Sequence, residues 1–386
     1  MSIKPAIVAV GYNRPDSMRR LLQSIVNAHY PFDGIDLIIS IDESNRSDDV
    51  QKVADEFQWN YGNKIIKRYP ERQGLRKHII QCGDLSNQYG AVIILEDDLM
   101  VSPSFYNYTY AAINYYKDNP KIVGASLYSH CWNGYAGLQF IPEKNEYDAY
   151  LGQYSISWGQ CWAKEQWNLF KEWYLLHEDK LPAENKAMPS TILRWSQQSW
   201  GKYFISYMVE KNLYYVVPYA GMTTNFSEMG THNSSSSATF QVPLQQGNKV
   251  EYKLPDFEQA VKYDLFFERI FDKIDDIDGK DICVNLNGMK LWNFDKKYLL
   301  TDKKIPELSP VASYGMVMRP VDANITNQIS GEDIFLYNID GRDIPMAEFD
   351  CSYKRVEYET YGLFWKRLFK VGKNKLIYSI KSKLKK

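Results

Sequence analysis

An apolar run that ends in three acids constrains the fold of this chain more than any other feature. Residues 91–95 are all apolar, and Glu96, Asp97 and Asp98 follow them directly. Such a run is typical of a strand buried in a parallel sheet, and these sheets bind ligands at the carboxyl ends of their strands. Because three adjacent carboxylates repel one another, the sequence predicts that a divalent metal carrying a diphosphate binds there. The competing explanation is that the acids only cap the next helix.

Apolar segments and helical patterns alternate through the first third of the chain. Strands are predicted at residues 6–10, 35–41, 64–69, 91–95 and 122–127, and helices at residues 15–28, 47–57, 74–88 and 102–117. This alternation predicts βαβ units and an α/β fold with a Rossmann-like, doubly wound and mostly parallel sheet. Farther along, the pattern is irregular, and we expect helices near residues 163–176 and 190–211 and a strand at 213–217.

Composition and missing motifs exclude several classes of protein. The net charge of −1 argues against a general nucleic-acid-binding protein, whose basic surface would be visible in the total. Five cysteines without paired spacing argue against a disulfide framework or a zinc site, and favour the reducing cytoplasm. The first residues show no signal-peptide pattern, and no apolar run approaches membrane-spanning length, so we expect a cytoplasmic protein. The phosphate-binding motif of ATPases and the Gly-x-Gly-x-x-Gly motif of dinucleotide oxidoreductases are both absent from the sequence.

Several polar residues follow the predicted strands and share the edge where a nucleotide would bind. Arg14 follows the first strand, Asp42 ends the second, and the three acids end the fourth, while His78 lies on an intervening helix. An Arg fork matches phosphate oxygens, and a carboxylate such as Asp42 can accept the imide N–H of a uracil or a ribose hydroxyl. A metal held by Asp98 would polarise a diphosphate and stabilise a departing nucleoside diphosphate.

The order of these motifs carries a resemblance to a known family. The motifs are Val-Ala-Val-Gly-Tyr-Asn-Arg at residues 8–14, Ile-Ile-Ser-Ile-Asp at 38–42, Arg-Lys-His at 76–78 and Ile-Ile-Leu-Glu-Asp-Asp-Leu at 93–99. Together they resemble the GT-A glycosyltransferases, and within them the N-acetylglucosaminyltransferase I type, whose metal motif is Glu-Asp-Asp. Ser-Trp-Gly-Gln-Cys-Trp at 157–162 and the segment 218–232 are similar to bacterial relatives that build surface polysaccharides. The resemblance extends over residues 5–235.

The resemblance implies roles for the acids and for the arginine. Asp98 would ligate the metal, which would be Mn²⁺ or Mg²⁺. Glu96 and Asp97 would contact the donor sugar and the ribose, and Arg14 would lie near the diphosphate.

Further residues would contact the rest of the donor. The resemblance implies that Asp42 and His78 lie at the uracil of a UDP-linked sugar. It also implies that a loop at residues 221–238 closes over the bound donor. His232 lies in that loop, at a position from which it would reach the diphosphate or the metal.

One departure from the family concerns the general base that deprotonates the acceptor hydroxyl. Relatives commonly place an acid directly after a Trp before the second long helix, whereas here Gly201 follows Trp200. Direct displacement with inversion needs a base on the acceptor side. The acids nearby that would substitute are Glu228, Asp148 and Glu165. Three explanations stay open: a shifted alignment, a base from elsewhere in the chain, or an impaired enzyme.

The sequence divides into three segments. Residues 1–238 are expected to form a GT-A domain that binds the nucleotide-sugar and carries catalysis, and residues 239–360 a C-terminal α+β appendage. Residues 361–386 contain nine Lys or Arg and no acids, interleaved with apolar residues. Such a basic amphipathic tail predicts contact with a membrane surface, with a solvated terminal helix as the alternative.

The resemblance implies a metal-dependent, inverting transfer of a sugar from a UDP-linked donor to a glycan, in bacterial surface polysaccharide synthesis. The basic tail suggests that the acceptor is a lipid-linked oligosaccharide at the inner face of the cell membrane. A sugar-nucleotide pyrophosphorylase is disfavoured, because the segment after the first strand is poor in glycine. The alternative from another class is a degenerate, non-catalytic protein that binds sugar-nucleotide or glycan and acts as a scaffold.

Overall fold

Two units, distinguished by their internal contacts, make up the computed structural model, which describes residues 2–154, 157–178, 185, 187–226, 238–291, 295–342, 344–362 and 369–377. The first unit contains Met1–Tyr135 and Phe140–Phe271, and the second contains Ala136–Gln139 and Asp272–Lys386. This division differs from the boundary predicted after residue 238, because residues 239–271 contribute strands to the sheet of the first unit.

Short strands make up most of the regular structure in both units. In chain order the strands of the described residues are β1 Ala6–Gly11, β2 Leu37–Ile41, β3 Lys64–Arg68, β4 Ala91–Glu96, β5 Leu99–Val101, β6 Ile122–Ser126, β7 Trp132–Asn133, β8 Leu138–Gln139, β9 Ala149–Gly152, β10 Gln160–Ala163, β11 Tyr214–Pro218, β12 Thr223–Asn225, β13 Lys262–Tyr263, β14 Arg269–Ile270, β15 Lys273–Ile274, β16 Ile277–Asp278, β17 Ile282–Asn285, β18 Tyr298–Thr301, β19 Pro310–Tyr314 and β20 Ile334–Asn338.

Helices connect the strands of the first unit and are short and few in the second. The helices of the described residues are α1 Pro15–Val26, α2 Ser47–Glu56, α3 Leu75–Gly83, α4 Ser86–Tyr89, α5 Phe105–Tyr116, α6 Lys164–His177, α7 Ser190–Leu193, α8 Trp200–Lys211, α9 Asp322–Thr326 and α10 Tyr353–Glu359, with a 3₁₀ turn at Gly279–Asp281.

A ten-stranded sheet forms the centre of the first unit, in the order β14-β13-β9-β11-β6-β10-β4-β1-β2-β3. β3, β2, β1 and β4 are all parallel, and β6 and β11 are parallel to each other. β10 returns antiparallel between β4 and β6, and β9 runs antiparallel to β11. The predicted α/β fold, in which helices alternate with a mostly parallel sheet, is confirmed in this unit.

Apolar side chains cover both faces of this sheet. On one face, Ile7 of β1 and Ile93 of β4 are fully buried in a cluster with residues of α1, α2 and α5. On the other face, Trp162 of β10 lies with its ring centroid 4.6 Å from that of Trp167 in α6 and 5.5 Å from that of Phe204 in α8. Large aromatic side chains that are fully buried contribute much apolar area, so these contacts fix α6 and α8 on the sheet.

The second unit has a smaller sheet, in the order β17-β18-β20-β19. β17 and β18 are parallel, and the remaining pairs are antiparallel. Its core is a cluster of buried side chains, namely Cys283, Leu299, Phe335, Tyr337 and Ile339. This sheet, with the short helices α9 and α10, agrees with the predicted α+β appendage.

The observed elements differ from the predicted ones at several breaks. The helix predicted over 102–117 begins only at Phe105, because β5 precedes it and pairs with β12. The helix predicted over 190–211 is interrupted between α7 and α8, where the Lys202 ammonium donates to the carbonyl oxygens of Leu193 and Trp195. None of the five cysteines forms a disulfide.

Candidate active site

Three parallel strands bring their carboxyl ends to one edge of the sheet. β1 lies between β2 and β4, with Gly11 beside Ile41 and Val10 beside Glu96. The segments that follow these strands meet at what we call the ligand edge, formed by residues 11–14, 42–44 and 96–98. The predicted convergence of these segments is therefore present.

Arg14 is the cation that faces the acidic cluster, by which we mean Glu96, Asp97 and Asp98. Its Nη2 donates to Asp97 Oδ1 and lies 3.5 Å from Asp98 Oδ2. Burial raises the pKa of Glu96 well above its usual value, and the charges of Asp98 and Asp97 raise it further. Burial also raises the pKa of Asp97 to about 6, although Arg14 opposes that rise. The Arg14 guanidinium therefore does not offset the effect of burial on the pKa of Glu96 and of Asp97.

One oxygen of each acid in this cluster is buried without a hydrogen-bond partner among the described residues: Glu96 Oε1, Asp97 Oδ2 and Asp98 Oδ1. Buried polar atoms normally have partners, and carboxylate oxygens are preferred ligands of Mg²⁺ and similar cations. Within the described residues, no three His, Cys, Asp or Glu side chains enclose a metal by themselves. The acidic cluster therefore fits a cation that completes its coordination with oxygens from a bound phosphate and water.

Asp42 connects the end of β2 to the start of α3. Its Oδ1 accepts hydrogen bonds from the backbone N–H groups of Glu43 at 2.9 Å and Gln73 at 2.7 Å, and its Oδ2 accepts one from Gly74 at 3.0 Å. Gly74 has a φ of +77°, in the left-handed region that favours glycine. These bonds hold the turn before α3 against the ligand edge, and the predicted contact of Asp42 with a nucleobase stays a prediction.

His78 lies within α3, next to Asp42, and is 2% exposed. Its Nε2 is 2.7 Å from Ser40 Oγ, and the ring of Tyr69 packs edge-on at 5.2 Å between centroids. Burial lowers the pKa of His78 to about 4, although the negative charge of Asp42 opposes that change. His78 is therefore neutral near pH 7, and its predicted contact with uracil also stays a prediction.

Comparison with known sequences finds a family to which part of the chain is similar. Residues 6–163, from the start of β1 to the end of β10, match the sequence profile described as Glycosyl transferase family 2. Residues 6–163 of the chain are thus similar to family 2 glycosyltransferases. This match confirms the resemblance to GT-A glycosyltransferases that the sequence motifs indicated, and it spans all the strands that form the ligand edge.

Several named proteins are similar to part of the chain. An alpha-1,3-mannosyl-glycoprotein 2-beta-N-acetylglucosaminyltransferase of Arabidopsis thaliana is 23% identical over 207 residues, which are 53% of this chain and 40% of the relative. The chain therefore matches less than half of that relative's length. S. aureus TarS 1–349 in complex with UDP-GlcNAc aligns with a TM-score of 0.40 and 14% identity over 59% of this chain and 60% of that TarS fragment. The mannosyltransferase PcManGT of Pyrobaculum calidifontis, in complex with GDP-Man and Mn²⁺, aligns with a TM-score of 0.30 and 12% identity over 42% and 45%.

Two acids considered as the general base lie away from the acidic cluster. Asp148 precedes β9, four strands from β4, which is roughly 19 Å at the usual spacing of about 4.8 Å. Its Oδ1 accepts from Lys249 Nζ at 2.5 Å and its Oδ2 from the Lys253 N–H at 2.8 Å. Glu165 follows β10, which runs antiparallel to β4, so it lies at the opposite edge. The structure does not bring either acid to the cluster.

Gly201 is the second residue of α8, and the first turn of that helix contains no acid. The helix begins near the ligand edge, because the Tyr203 hydroxyl accepts a 2.6 Å hydrogen bond from Arg76 in the first turn of α3. A Cβ atom at position 201 would meet nothing closer than Ser199 Oγ at 3.8 Å and Trp195 at 3.9 Å. There is therefore room for the acid that the family pattern leads one to expect.

Two other predicted site residues lie outside the described part of the chain. Glu228 and His232 fall within residues 227–237, which the structure does not describe.

Gln160, at the start of β10, is a candidate site residue that was not singled out from the sequence. The only signal was its place in the motif at 157–162, because the antiparallel return of β10 next to β4 is not readable from a strand of four residues.

The buried imidazole of His78 predicts a pH-dependent stability. Its pKa is about 4 in the folded chain against 6.5 ordinarily, so unfolding takes up a proton as the pH falls between these values. The free energy of unfolding should therefore fall by about 2 kcal/mol between pH 7 and pH 4.5 through this group. The free energy of unfolding of His78→Gln, measured by urea denaturation at each pH, should lack this part of the pH dependence. His29→Gln, which changes an exposed histidine, should retain it. The same pH dependence in wild type and in His78→Gln would contradict the assignment.

Proposed function

We propose that this chain is a metal-dependent glycosyltransferase that transfers a sugar from a UDP-linked donor to a hydroxyl of a glycan acceptor, with inversion at the anomeric carbon. The observation that carries the proposal is the set of three unpartnered carboxylate oxygens in the acidic cluster, at the ligand edge of a family 2 domain. The name of the Arabidopsis relative, an N-acetylglucosaminyltransferase, supports a hexosyl or N-acetylhexosaminyl donor.

The residues at the ligand edge would divide the work of binding the donor. Asp98 would hold Mn²⁺ or Mg²⁺, which when bound neutralises charge on the departing diphosphate. Glu96 and Asp97 would contact the donor sugar and the ribose. Arg14 has donors beyond the Nη2 that contacts Asp97, and a guanidinium pairs well with phosphate oxygens.

The nucleoside and the closing loop complete the proposed donor site. Asp42 and His78 would contact the uracil from the turn before α3 and from α3 itself. Oδ2 of Asp42 accepts one hydrogen bond, and a carboxylate oxygen can accept two. The loop at residues 221–238 would close over the donor, with His232 reaching the diphosphate or the metal.

The acceptor would be a glycan or a lipid-linked oligosaccharide in bacterial surface polysaccharide synthesis, met at the inner face of the cell membrane. No helix in the described part of the chain is long and apolar enough to cross a membrane. The C-terminal tail supports a peripheral contact instead, because residues 369–377 are helical and Phe369 and Leu376 are 76% and 63% exposed beside several lysines. Basic segments with exposed apolar residues bind anionic lipid surfaces.

Deletion of residues 363–386 tests the membrane contact. The deletion begins after residue 362 so that it keeps Tyr361, whose ring centroid lies 3.8 Å from the Arg319 guanidinium. We expect the intact chain to sediment with vesicles containing anionic lipid and the shortened chain to lose most of that binding, with neutral vesicles as the control. Equal binding of the two chains to anionic vesicles would contradict the contact.

The donor site is tested by thermal unfolding with a panel of UDP-sugars, in Mn²⁺ or in EDTA. Binding at a hundredfold excess over Kd stabilises a protein by about 2.7 kcal/mol. We expect one UDP-sugar to raise the Tm only with Mn²⁺, and we expect Asp98→Asn to abolish the rise. Asp118→Asn, which changes an exposed acid just after the end of α5, should behave as wild type. A rise that persists in Asp98→Asn would contradict the role of Asp98.

Gly201 favours a second candidate function, a donor-binding scaffold without turnover. Its place in the first turn of α8, where relatives commonly carry the base, holds no carboxylate. The two candidates differ in turnover, because the scaffold would bind the donor but neither transfer the sugar nor hydrolyse the donor slowly.

Restoring a carboxylate at position 201 tests whether its absence limits turnover. The site has room for a side chain, and acids are favoured at helix N-termini. Because a positioned general base contributes about 10²–10⁴-fold, we expect Gly201→Asp to hydrolyse the donor at least about tenfold faster than Gly201→Asn. Equal rates would indicate that the base comes from another part of the chain. The readout is release of UDP from the UDP-sugar that binds.

A further inference from the structure

Gln160, the first residue of β10, has a side-chain amide that the rest of the protein does not satisfy. The residue is 1% exposed, and neither Nε2 nor Oε1 has a hydrogen-bond partner within the part of the chain that the structure describes. Ser126, opposite it on β6, directs its hydroxyl to the carbonyl oxygen of Tyr128 instead. A buried amide without partners is destabilising, so a group from outside the chain is the expected partner.

The sheet register places Gln160 beside the acidic cluster. Gln160 pairs with Ile94 of β4, and Glu96 lies two residues farther along β4 on the same face, because side chains alternate along a strand. Within the described residues, Oε1 of Glu96 also lacks a hydrogen-bond partner. Unpartnered polar atoms of two side chains therefore lie on adjacent strands and on one face of the sheet, at the ligand edge.

The same face carries the start of α8. Trp162 lies two residues after Gln160 on this face, and its ring packs edge-on against Trp200, with centroids 5.6 Å apart. Because β10 runs antiparallel to β4, Gln160 is nearer to the ligand edge than Trp162. Gln160 thus lies on the sheet face that joins the acidic cluster to Trp200, the residue before Gly201.

The order of the strands indicates which part of a donor would reach Gln160. β2, β1, β4 and β10 are consecutive neighbours in the sheet. In the proposed function the nucleoside lies at the end of β2, near Asp42, and the diphosphate at the end of β4, near Asp98. Neighbouring strands are about 4.8 Å apart, so the sugar attached to the diphosphate extends toward the next strand, β10.

Building on the proposed function, we propose that the Gln160 amide, together with Glu96 Oε1, binds a hydroxyl or acetamido group of the donor sugar. A primary amide offers two donors and an acceptor, so it can pair with either group. Gln160 is then a specificity residue for the sugar and not for the nucleotide. Its unsatisfied amide in the free protein is the stability cost of that recognition.

The test compares binding of UDP with binding of UDP-N-acetylglucosamine and UDP-glucose, by calorimetry in Mn²⁺, for wild type and Gln160→Leu. Leucine keeps much of the side-chain volume and removes both polar atoms. Loss of one neutral hydrogen bond corresponds to about three- to tenfold in affinity. We expect Gln160→Leu to weaken whichever UDP-sugar binds more tightly than UDP by that factor, and to leave the affinity for UDP unchanged.

Gln166 supplies a matched control, because it is a buried glutamine whose amide is satisfied. Its Oε1 accepts from the Ala163 N–H at 3.2 Å, and its Nε2 donates to the Ile122 carbonyl oxygen at 3.1 Å. We expect Gln166→Leu to lower the Tm of the free protein and to leave the ratio of UDP-sugar to UDP affinity unchanged. Gln160→Leu should not lower the Tm.

The outcomes separate this inference from the function on which it rests. If wild type does not bind UDP in Mn²⁺, the proposed function fails, and the inference fails with it. If UDP binds but Gln160→Leu leaves the preference for the UDP-sugar unchanged, or neither UDP-sugar binds more tightly than UDP, the inference alone is overturned. A Tm loss in Gln160→Leu as large as that in Gln166→Leu would also overturn it, because the amide would then have a structural partner such as a buried water.

Discussion

The accumulation of acidic side chains at the end of β4, faced by the guanidinium of Arg14, is the constraint on which the rest of the site depends. Arg14 contacts Asp97 and lies near Asp98, yet one oxygen of each acid in the acidic cluster stays unpartnered. Burying carboxylates is costly unless cations or hydrogen bonds compensate them. A bound divalent cation with a diphosphate would supply that compensation, so affinity for such a ligand and the instability of the free cluster have the same origin.

The fold produces this concentration of charge by simple means. Parallel pairing places the ends of β2, β1 and β4 side by side, and the backbone bonds of Asp42 hold the start of α3 against them. β10 then adds an antiparallel strand on the other side of β4. The proposed nucleotide part of the site and the part that faces α8 are therefore built on one continuous sheet, which keeps their spacing fixed.

Long and regular helices and strands could be predicted from the sequence better than short ones. The apolar run of β4 and the helical spacing of α1 could be recognised, because a buried strand and an amphipathic helix each leave a periodic pattern. The strands β5 and β10 could not be recognised, because three or four residues are too few to show a periodic pattern of apolar side chains. Their positions also depend on strands that are distant in the sequence. The acidic cluster was predicted from its position alone, whereas the unsatisfied amide of Gln160 follows only from the sheet register.

Anomalous diffraction at the manganese edge, from crystals of the protein grown with UDP and Mn²⁺, would show whether the acidic cluster binds a metal together with a nucleotide. We predict an anomalous peak within ligand distance of an Asp98 carboxylate oxygen and of the diphosphate, with the nucleoside extending toward Asp42. Manganese bound elsewhere, or UDP bound with Arg14 still paired to Asp97 and no metal at the acidic cluster, would contradict it.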